Sequence, residues 1–488
     1  MRCVALLFAL ALLAPSAGAQ ADTTFVTLTE AVALAIDESP DVQRAEIGDR
    51  GRALAVRSAR AGRLPTLGVQ VSPQQRYGLG FDQTTGEVVT QTVESLTVGA
   101  SASVSLYDGG QTRFAIREAE RNRESASASL ERTRQQVSLD VSQQFLALLL
   151  SREILGIEQE QLAAADAQRQ RVEELVDAGA RPRGDLIAQE AVVAERQTAV
   201  IVAEGNVERD RALLVQRVGL DPLGTYRFVG PDIDRLEASG LFEADLGELP
   251  DLIAAALDAR ADRRAQELSI AAADASIGSA RSAGRPTLTL SGGVGTGYSS
   301  LQQRIVGEAP RLPVTLPDGA PVLVGGVPLT FPGDPTLETT PLFPQFSDNR
   351  SGSLGLTLSV PIFDRYQARR LVGEAQIRAD EARITLEALD RLVAAEVQQA
   401  LIEARTARAQ LASARVQVSA SEEALRVEED RYRLGAGTLY DVSDAQARLA
   451  RSQSAEVQAA YGLAFRIALL RLAVGDLDPV ELARLLDE

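Results

Sequence analysis

Two periodicities share this chain, and the places where one gives way to the other mark its elements. From Leu96 to Tyr107 the apolar residues Leu96, Val98, Ala100, Ala102, Val104 and Leu106 alternate with Thr97, Gly99, Ser101, Ser103 and Ser105. The pattern returns from Leu354 to Phe363, where Leu354, Leu356, Leu358, Val360 and Ile362 alternate with Gly355, Thr357, Ser359 and Pro361. A period of two sustained this long predicts strands that are apolar on one face and wet on the other. Shorter alternating runs, TLGVQVS from Thr66 and TLTLSGGVG from Thr287, predict a first strand ahead of each. Most of the remaining chain has the helical period. Proline-free stretches rich in Ala, Leu, Glu, Gln and Arg run from about Gln111 to Ala178 and from about Arg365 to Leu434. Each meets a glycine turn and returns, over about Asp185 to Val218 and about Asp441 to Val474. At about 1.5 Å per residue the two long helices extend roughly 100 Å, and the returning ones half of that. Amphipathic helices are also predicted over Leu28 to Gly62, kinked near Pro40, and over Leu249 to Gly284.

The order of these elements repeats because the chain is a duplication. Leu28 aligns with Leu249, Asp37 with Asp258, Glu46 with Glu267, Arg60 with Arg281 and Pro65-Thr66-Leu67 with Pro286-Thr287-Leu288, without a gap. After a longer insertion in the second half, Leu106-Tyr107-Asp108 aligns with Ile362-Phe363-Asp364, Gly179-Ala180 with Gly435-Ala436, Asp185 with Asp441, and Val218-Gly219 with Val474-Gly475. The chain thus divides into a first repeat (20–219), a linker (220–248), a second repeat (249–475) and a C-terminal segment (476–488). The linker and the C-terminal segment follow the returning helices, fall at mid-length and are expected to form a belt. Between the strands, Pro73 to Ser95 reads as a short polar loop. Ser299 to Arg350, with nine prolines, reads as an irregular surface loop.

One such strand by itself fits a soluble sandwich better than a membrane. The count reverses this, because each half supplies two strands and four cannot close a barrel or satisfy their own edges. Four strands that need closure imply several copies of the chain, and three copies give twelve strands, each long enough at a steep tilt to cross an outer membrane.

Composition narrows the chemistry. Residues 1–19, with Arg2, a short apolar run and Ala17-Gly18-Ala19, read as a secretory signal peptide cut before Gln20. The only Cys, Cys3, lies in that leader, and the chain has no His and no Trp. The commonest acid–base group, thiol nucleophile and transition-metal ligands are therefore missing, and no catalytic residue, cofactor or metal site is nominated. All 50 basic residues are Arg, so a Gly-x-x-x-x-Gly-Lys phosphate loop is excluded, and the net charge of −17 argues against a nucleic-acid partner.

The duplicated plan, the Leu-Tyr-Asp-Gly-Gly strand-to-helix junction at Leu106, the hairpin signatures Gly179…Asp185 and Gly435…Asp441 and the cleavable leader resemble the TolC-like outer membrane efflux proteins. The resemblance covers nearly all of Leu28 to Val474. It implies an α+β membrane protein whose homotrimer forms a 12-stranded β-barrel in the outer membrane, in contact with its lipid, continued by an α-helical barrel into the periplasm. It also implies a passive exit duct of a tripartite efflux pump or type I secretion system for solutes or polypeptides. The partners would be a periplasmic adaptor (membrane fusion protein) and an inner-membrane pump of RND, ABC or MFS type. Residue by residue, Asp441 and Asp444 match the family's paired entrance acids. Tyr432 matches a tyrosine that bonds across to an Asp of the first hairpin, here Asp185. Gly179, Gly435 and Gly437 fall at the tips that meet the adaptor, and Asp108, Gly109, Gly110 and Asp364 at the strand-to-helix junctions. Gly437 stands where the TolC type has an Arg that links neighbouring protomers, so that lock is absent or rebuilt with Arg181, Arg183 or Arg433.

A plainer reading of the acids competes: Asp185 and Asp441 stand at helix starts, where Asp caps free N–H groups. Against the duct as a whole stands an extracytoplasmic coiled-coil scaffold or periplasmic adaptor protein, which accounts for the helices but not for the strands or the duplication. A carboxylate-only hydrolase has no pocket-forming domain around any acid pair.

Overall fold

The computed structural model describes residues 24–81 and 88–475. The expected signal peptide at 1–19 and the belt segment at 476–488 lie outside these residues. Along the chain the first copy holds β1 (Thr24–Val26), α1 (Leu28–Glu38), α2 (Pro40–Ala61), β2 (Thr66–Phe81), β3 (Val88–Tyr107), α3 (Gln111–Asp177) and α4 (Arg183–Val218). The linker carries β4 (Tyr226–Phe228), α5 (Ile233–Ala238) and a single 3-10 turn at Leu241–Glu243. The second copy follows with α6 (Leu249–Ala259), α7 (Ala261–Ser282), β5 (Thr287–Ser299), an insertion, β12 (Ser351–Ser359), α9 (Gln367–Arg433) and α10 (Leu439–Val474). The chain clusters into two units.

Of the described residues, the larger unit takes 24–54, 120–272 and 379–475 and consists mainly of helix. Its packing follows from small residues at heptad spacing. On α9, Val393, Val397, Ala400, Ala404, Ala407, Leu411 and Ala414 are buried at alternating steps of four and three, the seam of a coiled coil. Alanine there lets backbones approach closely, and Ala460, Ala464 and Ala468 of α10 belong to the same core. α10 is, among the described residues, the helix apolar and long enough to cross a bilayer, but most of its apolar window is buried, which makes it a core helix. The linker closes this core. Phe228 of β4 meets Phe145 of α3 edge to face, ring centroids 6.0 Å apart, and both are fully buried beside Leu148, Leu214 and Leu236. β4 also pairs in parallel with β1.

Both N-terminal helices break in two, one at a proline and one without. The first breaks at Ser39-Pro40, as its sequence predicts. The second, predicted as one helix, breaks at Arg260, which is extended (φ −66°, ψ 126°). Its side chain, 2% exposed, is drawn into ion pairs with Asp262 and Glu396, each at 2.6 Å, and donates to the Ala473 carbonyl at the end of α10. A buried guanidinium needs such partners, and supplying them fixes the break.

The smaller unit takes residues 55–119 and 273–378. It holds an antiparallel sheet in the order β12-β5-β3-β2, with β12 and β2 at its edges. Two expectations fail here. Pro73 to Ser95 is not a loop: β2 continues through Pro73, opposite Leu96, to Phe81, and β3 starts at Val88. Proline is tolerated because β2 is an edge strand with one side free of ladder bonds. The prolyl-rich insertion is not irregular. Its strands nest as antiparallel ladders, β6 (Gln303–Ile305) with β11 (Leu337–Thr339), β7 (Arg311–Pro313) with β10 (Thr330–Pro332), and β8 (Leu323–Val324) with β9 (Val327–Pro328). Short α8 (Leu342–Asp348) follows, and its buried Gln345 bonds both backbone groups of Ser299.

Candidate functional site

The two hairpin tips lie in the larger unit, and they are built on the same backbone bonds. At the first, α3 ends at Asp177 and Gly179 takes φ 71°; the amides of Ala180 and Arg181 both donate to the Leu175 carbonyl, at 2.8 and 3.2 Å. At the second, α9 ends at Arg433 and Gly435 takes φ 75°; the amides of Ala436 and Gly437 both donate to the Arg431 carbonyl, at 2.8 and 3.1 Å. This left-handed glycine turn absorbs carbonyls that a helix end leaves without partners. Gly437 is there for space: a Cβ would stand 3.2 Å from both the Arg431 Cβ and the Tyr432 amide nitrogen.

The helix starts after the turns differ. α10 has Thr438 at its cap; the Thr438 hydroxyl accepts from the Asp441 amide at 3.2 Å, while the Asp441 carboxylate accepts from the Thr438 amide at 2.9 Å and its hydroxyl at 2.7 Å. These bonds, together with the charge of Arg431, hold the Asp441 carboxyl below its ordinary value of 3.8. The cap was legible as Thr-x-x-Asp, although the Asp stands at the third helical position and not at the cap itself. α4 has Pro182 at that position and no side-chain cap. Asp185 makes no capping bond and stands 4.0 Å from the Arg181 guanidinium.

The sequence-predicted acids are therefore engaged. Asp444 pairs with Arg448, one turn on, at 2.6 Å. The Tyr432 hydroxyl does not bond to Asp185: its oxygen is buried without a hydrogen-bond partner. Instead the Arg181 guanidinium sits 4.6 Å above the Tyr432 ring. A cation over an aromatic face is attracted by the ring's quadrupole. Arg181 thus touches the second hairpin through Tyr432 and faces Asp185 of the first, and the expected hydrogen bond is replaced by a cation–π contact. Arg448 was missed, although its i, i+4 spacing from Asp444 could have shown it.

The strand-to-helix junctions lie in the smaller unit. Asp108 accepts from the amides of Gly110 and Thr112, at 2.9 and 2.7 Å, and Asp364 accepts from Ala368 at 2.7 Å. Gly109 and Gly110 have φ of 68° and 94°. The Gly109 carbonyl receives Arg285 at 2.8 Å and Ser282 at 3.2 Å.

The profile of the outer membrane efflux protein family matches residues 31–220 and 252–476, both copies of the repeat. The pyoverdine export outer membrane protein OpmQ of Pseudomonas putida is 26% identical over 458 residues, covering 88% of this chain and 84% of that protein. Among solved structures, the Campylobacter jejuni outer membrane channel CmeC superposes with a TM-score of 0.68 at 18% identity, over 99% of this chain and 98% of its own. The open state of the Neisseria gonorrhoeae channel MtrE gives 0.67 at 20% identity, over 92% and 89%. With its duplicated hairpins, its open sheet and these likenesses, the chain belongs to the outer membrane efflux protein family, as an outer-membrane exit duct that extends into the periplasm.

Proposed function

We propose that three copies of this chain close into one passive duct, a 12-stranded barrel continued by a barrel of helical hairpins, and that the hairpin tips form its periplasmic mouth. The observation that carries this is the open sheet. β12 and β2 are free edges, and the large apolar side chains of one face stand in the open, Leu67 at 81% and Leu354 at 81%. Pairing β2 of one copy with β12 of the next satisfies both edges and puts the apolar face against lipid. The belt includes 220–248. The tips dock a periplasmic adaptor, and the exposed Leu434 and Tyr440 beside Gly435 and Gly437 offer it apolar contact. An inner-membrane pump of RND, ABC or MFS type supplies the energy. The OpmQ relative favours a small exported solute of the siderophore class over a polypeptide.

At the mouth, Asp441 and Asp444 from three copies place six carboxylates round one axis, which favours cations in the passage. Arg448 offsets part of that charge through its pair with Asp444. In planar bilayers, Asp441→Ala with Asp444→Ala is expected to raise single-channel conductance and weaken block by multivalent cations. Arg448→Ala should do the opposite to the block, by freeing Asp444. If the double variant changes neither quantity, these acids are not the gate.

A further inference from the structure

The two edges of the four-stranded sheet finish differently on the side away from the strand-to-helix junctions. β2 has 16 residues and β12 nine. With their junction ends level, Thr66 beside Ser359, the last seven residues of β2 (75–81) project past β12, and the outer edge of β2 has no strand beside it. Along this projection the apolar face changes character twice. Leu67, Val69, Val71 and Pro73 are followed by a polar row, where the Gln75 amide donates to the Glu94 carboxylate at 3.2 Å and the Tyr77 hydroxyl donates to Gln75 at 2.7 Å. A charge on a lipid-facing position is tolerated near the interface and not at depth, so Glu94 marks where hydrocarbon ends. Beyond it the same face turns apolar again. Leu79 and Phe81 are 78% and 61% exposed, and Val88 of β3, opposite Phe81, is 67% exposed.

The insertion, rooted between β5 and β12, carries a matching surface. From 312 to 333 it holds a single charged residue, Asp318. Leu312 stands opposite Phe331 and Val324 opposite Val327, and all four are 45–67% exposed. β6 and β11 form a two-stranded ladder, which leaves both of its outer edges open.

We propose that the insertion of one copy clasps the projecting β2–β3 hairpin of its neighbour outside the membrane, so that three copies interlock at the exit. The proposal rests on the reading of the sheet as a barrel closed between β2 and β12, and three observations select a second copy as the occupant. The insertion leads into β12, the strand that such closure sets beside the neighbour's β2. The projection and the ladder both offer open edges where pairing of β2 with β12 stops, so continuing it satisfies both. The patch of Leu79, Phe81 and Val88 lies past Glu94, out of reach of hydrocarbon, so lipid does not cover it. A contact of hairpin on insertion joins two different surfaces, and round a threefold axis it closes into a ring with no surface left over.

The only Cys of the chain lies in the expected leader, so introduced thiols report alone. Two differently tagged forms are expressed together, one with Leu79→Cys and one with Val327→Cys, and outer membranes are treated with a short bismaleimide. A product carrying both tags is expected. Gln70→Cys with Gly355→Cys, level with each other on the two sheet edges, tests closure of the barrel in the same way. A two-tag product at the edges without one at the clasp overturns the clasp and leaves the trimer. No two-tag product at the edges overturns the closure on which the clasp rests. Linkage of Leu79→Cys only to a foreign protein, or only within one chain of a protein carrying both clasp cysteines, overturns the clasp as well. Should Leu79→Cys fail to assemble, Phe81→Cys replaces it. Phe81→Asp and Phe331→Asp should each lower the temperature at which the trimer dissociates, and together no further than the larger of the two losses. Additive losses would mean that the two patches have different partners, against the clasp.

Discussion

At the strand-to-helix junction the first copy turns through Gly109 and Gly110, with φ of 68° and 94°, and the second turns through Arg365 and Tyr366, with φ of 54° and 65°. In both, an Asp between strand and helix accepts from the first-turn amide of the following helix, Asp108 from Thr112 and Asp364 from Ala368. The bend therefore belongs to the fold, and the residue type at it answers to the surroundings. A Cβ on Gly109 would lie 2.7 Å from the Arg285 Cβ and 3.0 Å from the Ser282 carbonyl, so the first copy excludes any side chain. The second copy accepts left-handed backbone at non-glycine residues, which costs roughly 1–2 kcal/mol each. Part of this is offset where the Tyr366 ring meets Phe363 edge to face at 6.2 Å and the Arg369 guanidinium at 5.3 Å.

The largest effect should come from removing that difference at the crowded side. Gly109→Val adds left-handed strain and a clash with Arg285, together about 3 kcal/mol or more, and is expected to abolish most folded trimer. Arg365→Gly, at an exposed position, should instead raise stability by at most about 1 kcal/mol, since relief of strain is partly cancelled by the entropy glycine adds to the unfolded chain. Thermal dissociation of the trimer measures both. If Gly109→Val melts like the unaltered protein, crowding is not why the first copy keeps its glycine.

The tips offer a second difference, of intermediate size. Arg181 of the first hairpin lies over Tyr432 of the second, a contact worth about 0.5–1 kcal/mol at a partly exposed site and present three times in the proposed trimer. If the tips form the proposed mouth, Arg181→Ala should shift it toward an open state and raise conductance. Tyr432→Phe should leave it unchanged, because the hydroxyl has no partner to lose. Arg183→Ala, at the same tip, serves as the control. A Tyr432→Phe channel that opens as far as the Arg181→Ala channel would show that the hydroxyl, and not the ring, makes the link.

Much of this was legible. The duplication, the existence and order of the four strands and the helix ends near Gly179 and Gly435 followed from periodicity and glycine, because these report backbone geometry directly; the strand expected to reach Phe363 stops at Ser359, and the one from Thr66 runs on to Phe81. Local rules failed where a distant partner decides. Pro73 reads as a stop unless one knows that β2 is an edge, and that is fixed by pairing with β3 alone. The break at Arg260 has no proline or glycine to mark it; its guanidinium is held by Asp262 nearby and by Glu396 and the Ala473 carbonyl far along the chain. At the site, spacing located the acids but not their partners. Thr438 and Arg448 were recoverable from i, i+3 and i, i+4 rules, whereas the placement of Arg181 over Tyr432 depends on how two hairpins from different copies meet.

The smallest expected effect separates the two helix starts. In α10 the Asp441 carboxylate accepts from Thr438, and these bonds with the nearby Arg431 hold its carboxyl below the ordinary 3.8. A depressed carboxyl contributes stability that is fully present above the unfolded value and is lost as pH falls through the folded one. Asp441→Asn should therefore speed amide exchange in the first turn of α10 at neutral pH, and its difference from the unaltered protein should begin to shrink as pH falls past about 3.8 and vanish only below the still lower folded value. In α4 no carboxylate caps the helix, so Asp185→Asn removes the favourable position of a charge near the helix N-terminus, worth a few tenths of a kcal/mol up to about 1, and the loose 4.0 Å pairing with Arg181. Exchange in the first turn of α4 should change less than in α10. Equal changes in the two helices would mean that Asp441 acts through the helix dipole as Asp185 does, and that the cap bonds add nothing to the second tip.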